Sequence, residues 1–109
     1  MTRNEFYAND GKRISYLKWD DVENPIGVIQ VSHGMVEHAG RYDLFAREMN
    51  KKGFIVVADD HRAHGVTDKD HLGYSEGDIW EKTLEDINKL FEIVRAEYRM
   101  PVILVGHSY

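Results

Sequence analysis

Gly106-His107-Ser108-Tyr109 forms the first four residues of the pattern glycine-x-serine-x-glycine, directly after the apolar run Val102-Ile103-Leu104-Val105. A serine on a tight, strained turn between a strand and a helix can serve as a nucleophile, and such a turn needs small neighbours so that backbones can approach. The fifth position falls beyond Tyr109. Taken alone, the pattern also fits an ordinary strand-to-loop turn with a solvent-facing serine. A second segment, Ser32-His33-Gly34-Met35, follows another apolar run, and Gly34 would let the chain turn inward there. Six histidines raise a metal reading, because His61 and His64 stand three apart with Asp59, Asp60 and Asp68 nearby, a donor set that can ligate zinc.

The surrounding pattern supplies the elements that would position these residues. Phe6-Tyr7-Ala8 and Ile14 to Trp19 are β-prone runs separated by Asn9-Asp10-Gly11-Lys12, and Asp-Gly predicts an antiparallel hairpin at a sheet edge. Gly27 to Val31, Phe54 to Ala58 and Val102 to Val105 are nearly continuous, β-branched runs, as expected of strands buried on both faces. Tyr42, Phe45, Ala46 and Met49 fall at helical spacing, and Gly53 is placed as a C-terminal stop. A second helix is predicted after Asp78 as cap, with Glu81 three residues later. Its apolar stripe is read as Trp80, Leu84, Ile87, Phe91, Val94 and Tyr98. The order, a hairpin followed by βαβαβ, predicts an α/β fold with a mostly parallel sheet covered by helices on both faces. Ligands of such sheets bind beyond the carboxyl ends of the strands. Those ends are residues 32–34, 59–61 and 106–108.

Composition excludes several classes. With 109 residues, the chain is long enough for one small domain, and 42% hydrophobic against 30% charged residues is too apolar for a disordered chain. Lys plus Arg is 14, Asp plus Glu is 19 and the net charge is −5, which leaves no electrostatic footprint for nucleic acid. The absence of cysteine excludes disulfides, thiolate metal sites and a cysteine nucleophile. The sequence has no signal-peptide-like apolar stretch and no transmembrane-length run, so a cytoplasmic location is the default expectation.

His33-Gly34-Met35-Val36-Glu37-His38-Ala39-Gly40-Arg41-Tyr42 resembles the H-G-x-x-E-H-x-x-R-Y segment of monoacylglycerol lipases and bacterial lysophospholipases, a group also described as serine aminopeptidase-like. Asp60-His61-Arg62-Ala63-His64-Gly65 is similar to its D-x-R-G-H-G segment, with Ala63 in place of the usual glycine, and Val105 to Tyr109 is similar to its G-H-S-x-G elbow. The three segments occur in family order from near residue 5 to the end. The resemblance implies the α/β-hydrolase fold, with Ser108 as nucleophile, Gly106 and His107 in the elbow, and the backbone N–H groups of Met35 and Tyr109 as the oxyanion hole. It implies that His33 and Gly34 support the oxyanion loop, His33 through hydrogen bonds, as does His38. It implies a small-molecule acyl ester with one fatty chain as substrate, no metal and no organic cofactor, and it accounts for the His61–His64 segment without a metal. If the usual glycine serves a positive φ, Ala63 costs roughly 1 kcal/mol there.

In this fold the triad runs serine, then Asp or Glu, then histidine, so neither partner of Ser108 is among the six histidines. Residues 1–109 are therefore expected to be the N-terminal part of a single α/β-hydrolase domain, with the substrate-selecting lid and the C-terminal part beyond Tyr109. Residues 1–109 alone are expected to be poorly stable and without esterase activity, since a serine without its base is a weak nucleophile. Two other readings stay open: a non-catalytic remnant or module that binds a ligand or partner, and a related enzyme such as a peptidase, thioesterase or acyltransferase.

Overall fold

At Asn9 to Lys12 the chain reverses: Ala8 N–H donates to Lys12 O at 2.8 Å, Gly11 N–H donates to Ala8 O at 2.9 Å, and Gly11 takes φ +85°. This is the expected hairpin, joining β1 (Thr2–Tyr7) to β2 (Arg13–Trp19) in antiparallel register from Thr2↔Lys18 to Tyr7↔Arg13. The structure, a computed structural model, describes residues 1–33, 39–61 and 79–106. The remaining elements are β3 (Gly27–Ser32), a 3-10 turn (Ala39–Tyr42), α1 (Asp43–Lys51), β4 (Phe54–Asp59), α2 (Ile79–Tyr98) and β5 (Val102–Gly106). The sheet order is β1-β2-β4-β3-β5, antiparallel up to β4 and parallel from β4 through β3 to β5. The mostly parallel α/β arrangement expected from the sequence is present.

Alternation along the central strands divides the interior into two layers, because successive side chains point to opposite faces. Val28 on β3 and Ile55 and Val57 on β4 face α2, where they pack with Leu90, Val94, Ile14, Tyr16 and Phe6. Ile29, Val31, Val56 and Ala58 face α1, where they pack with Ala46, Leu17 and Trp19. Every residue of β3 is buried, which explains its nearly continuous apolar run, interrupted only by Gln30 before the strand ends at Ser32.

Polar tethers fix both helices. For α1, Trp19 Nε1 donates to Asp43 Oδ1 at 2.9 Å, and Asn50 Nδ2 donates to Trp19 O at 3.0 Å and Phe54 O at 2.8 Å. Gly53, with φ +94°, ends the helix as predicted. For α2, Lys18 pairs with Glu97 and lies 5.2 Å from the centre of the Tyr98 ring. The Lys18 pKa is raised: burial lowers it, but the Glu97 and Tyr98 contacts more than offset that.

The stripe read for α2 needs correction. Among the described side chains of α2 the buried ones are Thr83, Asp86, Leu90 and Val94, whereas Leu84 is 47% exposed and Ile87, Phe91 and Tyr98 are half-buried; the side chain of Trp80 lies outside those described. The helix is turned because the sheet beneath its N-terminal half presents Gln30, Ser32, Asp59 and His61, all buried, and Gln30 Nε2 donates to Ile87 O at 3.0 Å. Polar residues of α2 therefore face inward there, and apolar ones only further along. No helix among the described residues is long and apolar enough to cross a membrane.

Among the described residues β5 pairs only with β3, from Val28↔Val102 to Ser32↔Gly106, and Ile103, Leu104 and Val105 are exposed, which corrects the expectation that this strand is buried on both faces: it stands at the edge of the sheet. An apolar strand with an open edge is a template for association. Ile103→Lys should lower the light scattering of concentrated samples of the 109-residue chain. Leu90→Ala should cost about 2–5 kcal/mol in urea unfolding, and Leu84→Ala less than about 1 kcal/mol. Equal costs would return the buried stripe to the one first read from the sequence.

Candidate active site

The parallel register Val31↔Ala58 brings the carboxyl ends of β3 and β4 side by side. Ser32 and Asp59 come next, both on the α2 face, and His61 lies two residues past Asp59. His61 Nδ1 stands 2.9 Å from Asp59 Oδ2, and its Nε2 stands 3.0 Å from Ser32 Oγ. Hydroxyl, imidazole and carboxylate are thus aligned in the order of a serine-hydrolase triad. Burial gives them another role: Asp59 and His61 are fully buried and Ser32 is 8% exposed. A nucleophile must touch its substrate, and this serine lies under α2. The three side chains tie two strand ends together.

The arrangement also sets the charge of His61. Burial lowers its pKa, but the Asp59 carboxylate, through its charge and hydrogen bond, more than offsets that. The backbone at His33 and the charge of Asp86 add to the same effect, so the imidazole titrates above its ordinary value. Asp59 Oδ1 has no hydrogen-bond partner among the described residues, and its Oδ2 is engaged by His61. When His61 is neutral, its proton sits on Nδ1 toward Asp59, and Nε2 accepts from the Ser32 hydroxyl.

Two further contacts fan out from the same strand end. His61 N–H donates to His33 Nε2 at 2.8 Å, and the two rings lie 4.0 Å apart between centres, tilted by 36°. A neutral His33 accepting at Nε2 carries its proton on Nδ1. Asp60, on the opposite face, accepts from Ala39 N–H at 2.6 Å through Oδ1 and from Arg3 at 3.0 Å through Oδ2. Arg3 also donates to Ser15 Oγ at 2.7 Å, and Asp60 N–H donates to Ser15 O at 2.8 Å. Asp60 thereby joins the hairpin, the end of β4 and the turn that precedes α1.

Of the site residues expected from sequence, His33 and Gly106 are described; Gly34, Met35, His107, Ser108 and Tyr109 lie outside the described residues, as do His38, His64 and Asp68. The hydrogen bond that His33 accepts comes from the amide of His61. The register Ser32↔Gly106 sets Gly106 beside the strand end that leads to His33. Among the described residues, no group of three or more His, Cys, Asp or Glu side chains could hold a metal ion. Sequence reasoning missed the roles of Ser32, Asp59, Asp60, His61 and Asp86. The available signal was the spacing of Asp59 and His61, which a strand places on one face.

The raised pKa of His61 has a direct consequence for stability. The contribution of the protonated imidazole is complete below about pH 6.5, the ordinary value, and is lost as pH rises through the higher folded-state value. Urea unfolding across this range should show wild type losing stability relative to His61→Gln as pH rises. A gap independent of pH would mean that His61 does not gain a proton on folding.

The family described as "Serine aminopeptidase, S33" matches residues 23–109. The chain is 34% identical over 110 residues to a monoacylglycerol lipase of Mycolicibacterium smegmatis, covering 98% of this chain and 38% of that protein. It is 32% identical over 100 residues to the monoglyceride lipase of Rattus norvegicus, covering 91% of this chain and 32% of that protein. A thermostable carboxyl esterase from Bacillus coagulans, solved with glycerol, superposes with a TM-score of 0.83 at 33% identity, over 98% of this chain and 36% of that one. The chain therefore spans about a third of the length of the relatives it matches. Its sheet order and the match over residues 23–109 agree: the chain belongs to the S33 serine aminopeptidase family of α/β-hydrolases.

Proposed function

We propose that this chain carries the nucleophile and oxyanion segments of a serine ester hydrolase acting on monoacylglycerols or lysophospholipids. The observation that supports this reading is the register Ser32↔Gly106. Neighbouring strands lie about 4.8 Å apart, so the segment entering Gly34-Met35 and the segment entering Ser108-Tyr109 leave the sheet side by side at its carboxyl edge. That is the spacing a reaction needs when one loop supplies the attacking oxygen and both supply amides to the developing oxyanion.

In this reading Ser108 Oγ attacks the ester carbonyl, and its proton passes to a histidine base. The tetrahedral oxyanion rests on the amides of Met35 and Tyr109. The alcohol, glycerol or its phosphodiester, leaves with the proton from the base, and water then cleaves the acyl-enzyme to a free fatty acid. The acid and histidine of the triad stand after Ser108 in this fold. Residues 1–109 are then the N-terminal part of a single domain, with lid and triad partners contributed by residues after Tyr109. The monoacyl substrate class is taken from the two lipase relatives, and the reaction itself needs no cofactor or metal.

The test is the intact mass of the native gene product before and after a fluorophosphonate. One adduct on Ser108, together with a drop of roughly 10⁴-fold or more in kcat for Ser108→Ala, is the expected result. The 109-residue chain alone should hydrolyse an activated ester no faster than buffer. A native 12.7 kDa product that takes no adduct would replace the enzyme by a non-catalytic remnant or binding module.

A further inference from the structure

His61 stands where three elements meet in the polar half of the core, with none of its surface exposed. From β4, Asp59 Oδ2 lies 2.9 Å from its Nδ1. From β3, Ser32 Oγ lies 3.0 Å from its Nε2, and the His33 ring lies 4.0 Å away between centres. From α2 comes the charge of Asp86, which is 2% exposed and stands three residues after the fully buried Thr83 on the inward face of the helix. The other charged groups nearby are turned elsewhere. Asp60 leaves on the opposite face of the sheet toward Arg3 and Ala39. Tyr16 stands opposite Asp59 in register, but its hydroxyl interacts with Lys18 and Glu97. Glu81 and Glu85 are exposed, and Lys82 pairs with Asp10 at 3.8 Å. Among the described residues, the titratable groups that face the imidazole are therefore Asp59, His33 and Asp86.

The two ring contacts survive in either charge state. In the neutral form Nδ1–H donates to Asp59 and Nε2 accepts from Ser32; in the imidazolium both nitrogens donate to the same two oxygens. What protonation adds is charge, and a charge attracts Asp86 across a site where burial limits screening. The strands do not depend on that attraction, because β3 and β4 are joined by their own ladder. The N-terminal half of α2 has no such ladder and contributes Thr83 and Asp86 to the interior. The next ties along the helix are the Gln30 Nε2 bond to Ile87 O at 3.0 Å and then the packing of Leu90 and Val94. The proton on His61 thus bears on the hold of α2 before Ile87 more than on the pairing of the strands.

We infer that His61 is a proton-operated lock on α2: as an imidazolium it draws Asp86 inward and keeps residues 79–86 against β3 and β4, and on losing its proton it releases that part of the helix while the turns from Ile87 onward stay docked. The sign follows from the charges. Burial lowers the pKa of the imidazole, but Asp59, the backbone at His33 and the charge of Asp86 more than offset that. The lock is therefore closed below about pH 6.5 and opens as pH rises through the higher folded-state value. Linkage requires the reverse as well: seating the helix must tighten the hold of His61 on its proton.

The experiment uses the full product of the gene and follows amide hydrogen exchange by mass spectrometry from pH 6 to pH 9, each rate divided by the intrinsic rate at that pH. Histidine ring resonances give the midpoint of His61 in the same samples. Amides of residues 81–86 should exchange by local opening, faster than the slowest amides of β3 and β4. Their protection should fall roughly 3- to 10-fold as His61 titrates, one pKa unit being worth about tenfold. In Asp86→Asn that fall should disappear and the His61 midpoint should move down. The slowest amides of β3 and β4 open only with the whole protein, and in Asp86→Asn they should keep a pH dependence because Asp59 still holds the ring. If Asp86→Asn does not fold, His61→Gln answers instead, and its protection of residues 81–86 should not change with pH. Protection of residues 81–86 that ignores pH in the wild type would overturn the inference, as would a His61 ring that does not titrate in this range. So would an Asp86→Asn protein with the wild-type pH dependence at residues 81–86, or exchange there no faster than in the slowest strand amides.

Discussion

A carboxylate taken out of water must find its hydrogen bonds within the protein or lose its charge. Asp59 and Asp60 stand next to each other at the tip of β4 with almost no exposure, and much of the architecture at the carboxyl edge of the sheet answers that requirement. Asp59 faces the α2 layer and takes the imidazole of His61. Asp60 faces the α1 layer and takes a backbone amide and a guanidinium. Two like charges one residue apart are kept from competing because the strand sends them to opposite sides of the sheet.

The same requirement shapes α2. Its C-terminal half meets an apolar sheet and contributes Leu90 and Val94, each worth roughly 1.5–3 kcal/mol in burial. Its N-terminal half meets Gln30, Ser32, Asp59 and His61, and there it contributes Thr83 and Asp86. The core is thus graded along the strands, apolar where they begin and polar where they end. Among the described residues, Gln30 Oε1, Asp59 Oδ1 and Thr83 Oγ1 have no hydrogen-bond partner at this polar end. Such groups cost stability, so the gradient is better explained by what the strand ends must hold in place than by what they add to folding.

This gradient also explains what the sequence discloses and what it hides. The hairpin, the three parallel strands and α1 with its Gly53 stop are legible because each depends on local chemistry, an Asp-Gly turn, a β-branched run or a helical period, but the burial expected for β5 is not, because it depends on what lies beside the strand. The stripe of α2 was misread for the opposite reason. Counting apolar residues finds Leu84, but which face turns inward is decided by Gln30 and His61, distant in sequence and polar. Likewise His61 reads as a possible metal donor beside His64, and only the parallel register shows that Ser32 and Asp59 occupy its ring nitrogens. Register is a long-range property, and no local run of residues carries it. The elbow expected at Gly106-His107-Ser108 rests, by contrast, on a local pattern that must be small and tight to work at all, and its serine lies outside the described residues.

A layer of Val and Leu at the ends of β3 and β4 would be simpler to fold. Replacing buried ionic groups with apolar ones of similar volume is often neutral or stabilising. Apolar packing, however, has no direction: it fills space without choosing which nitrogen of a histidine carries the proton or which amide a carboxylate grips. The contacts at this edge do choose. The N–H of His61 fixes the acceptor nitrogen of His33, and Asp60 fixes the amide of Ala39. Hydrogen bonds with defined donors and acceptors can specify which atoms meet at the ends of β3 and β4, and dispersion forces cannot. The polar end of this core is therefore best understood as a geometric constraint on the residues it grips, His33 and Ala39.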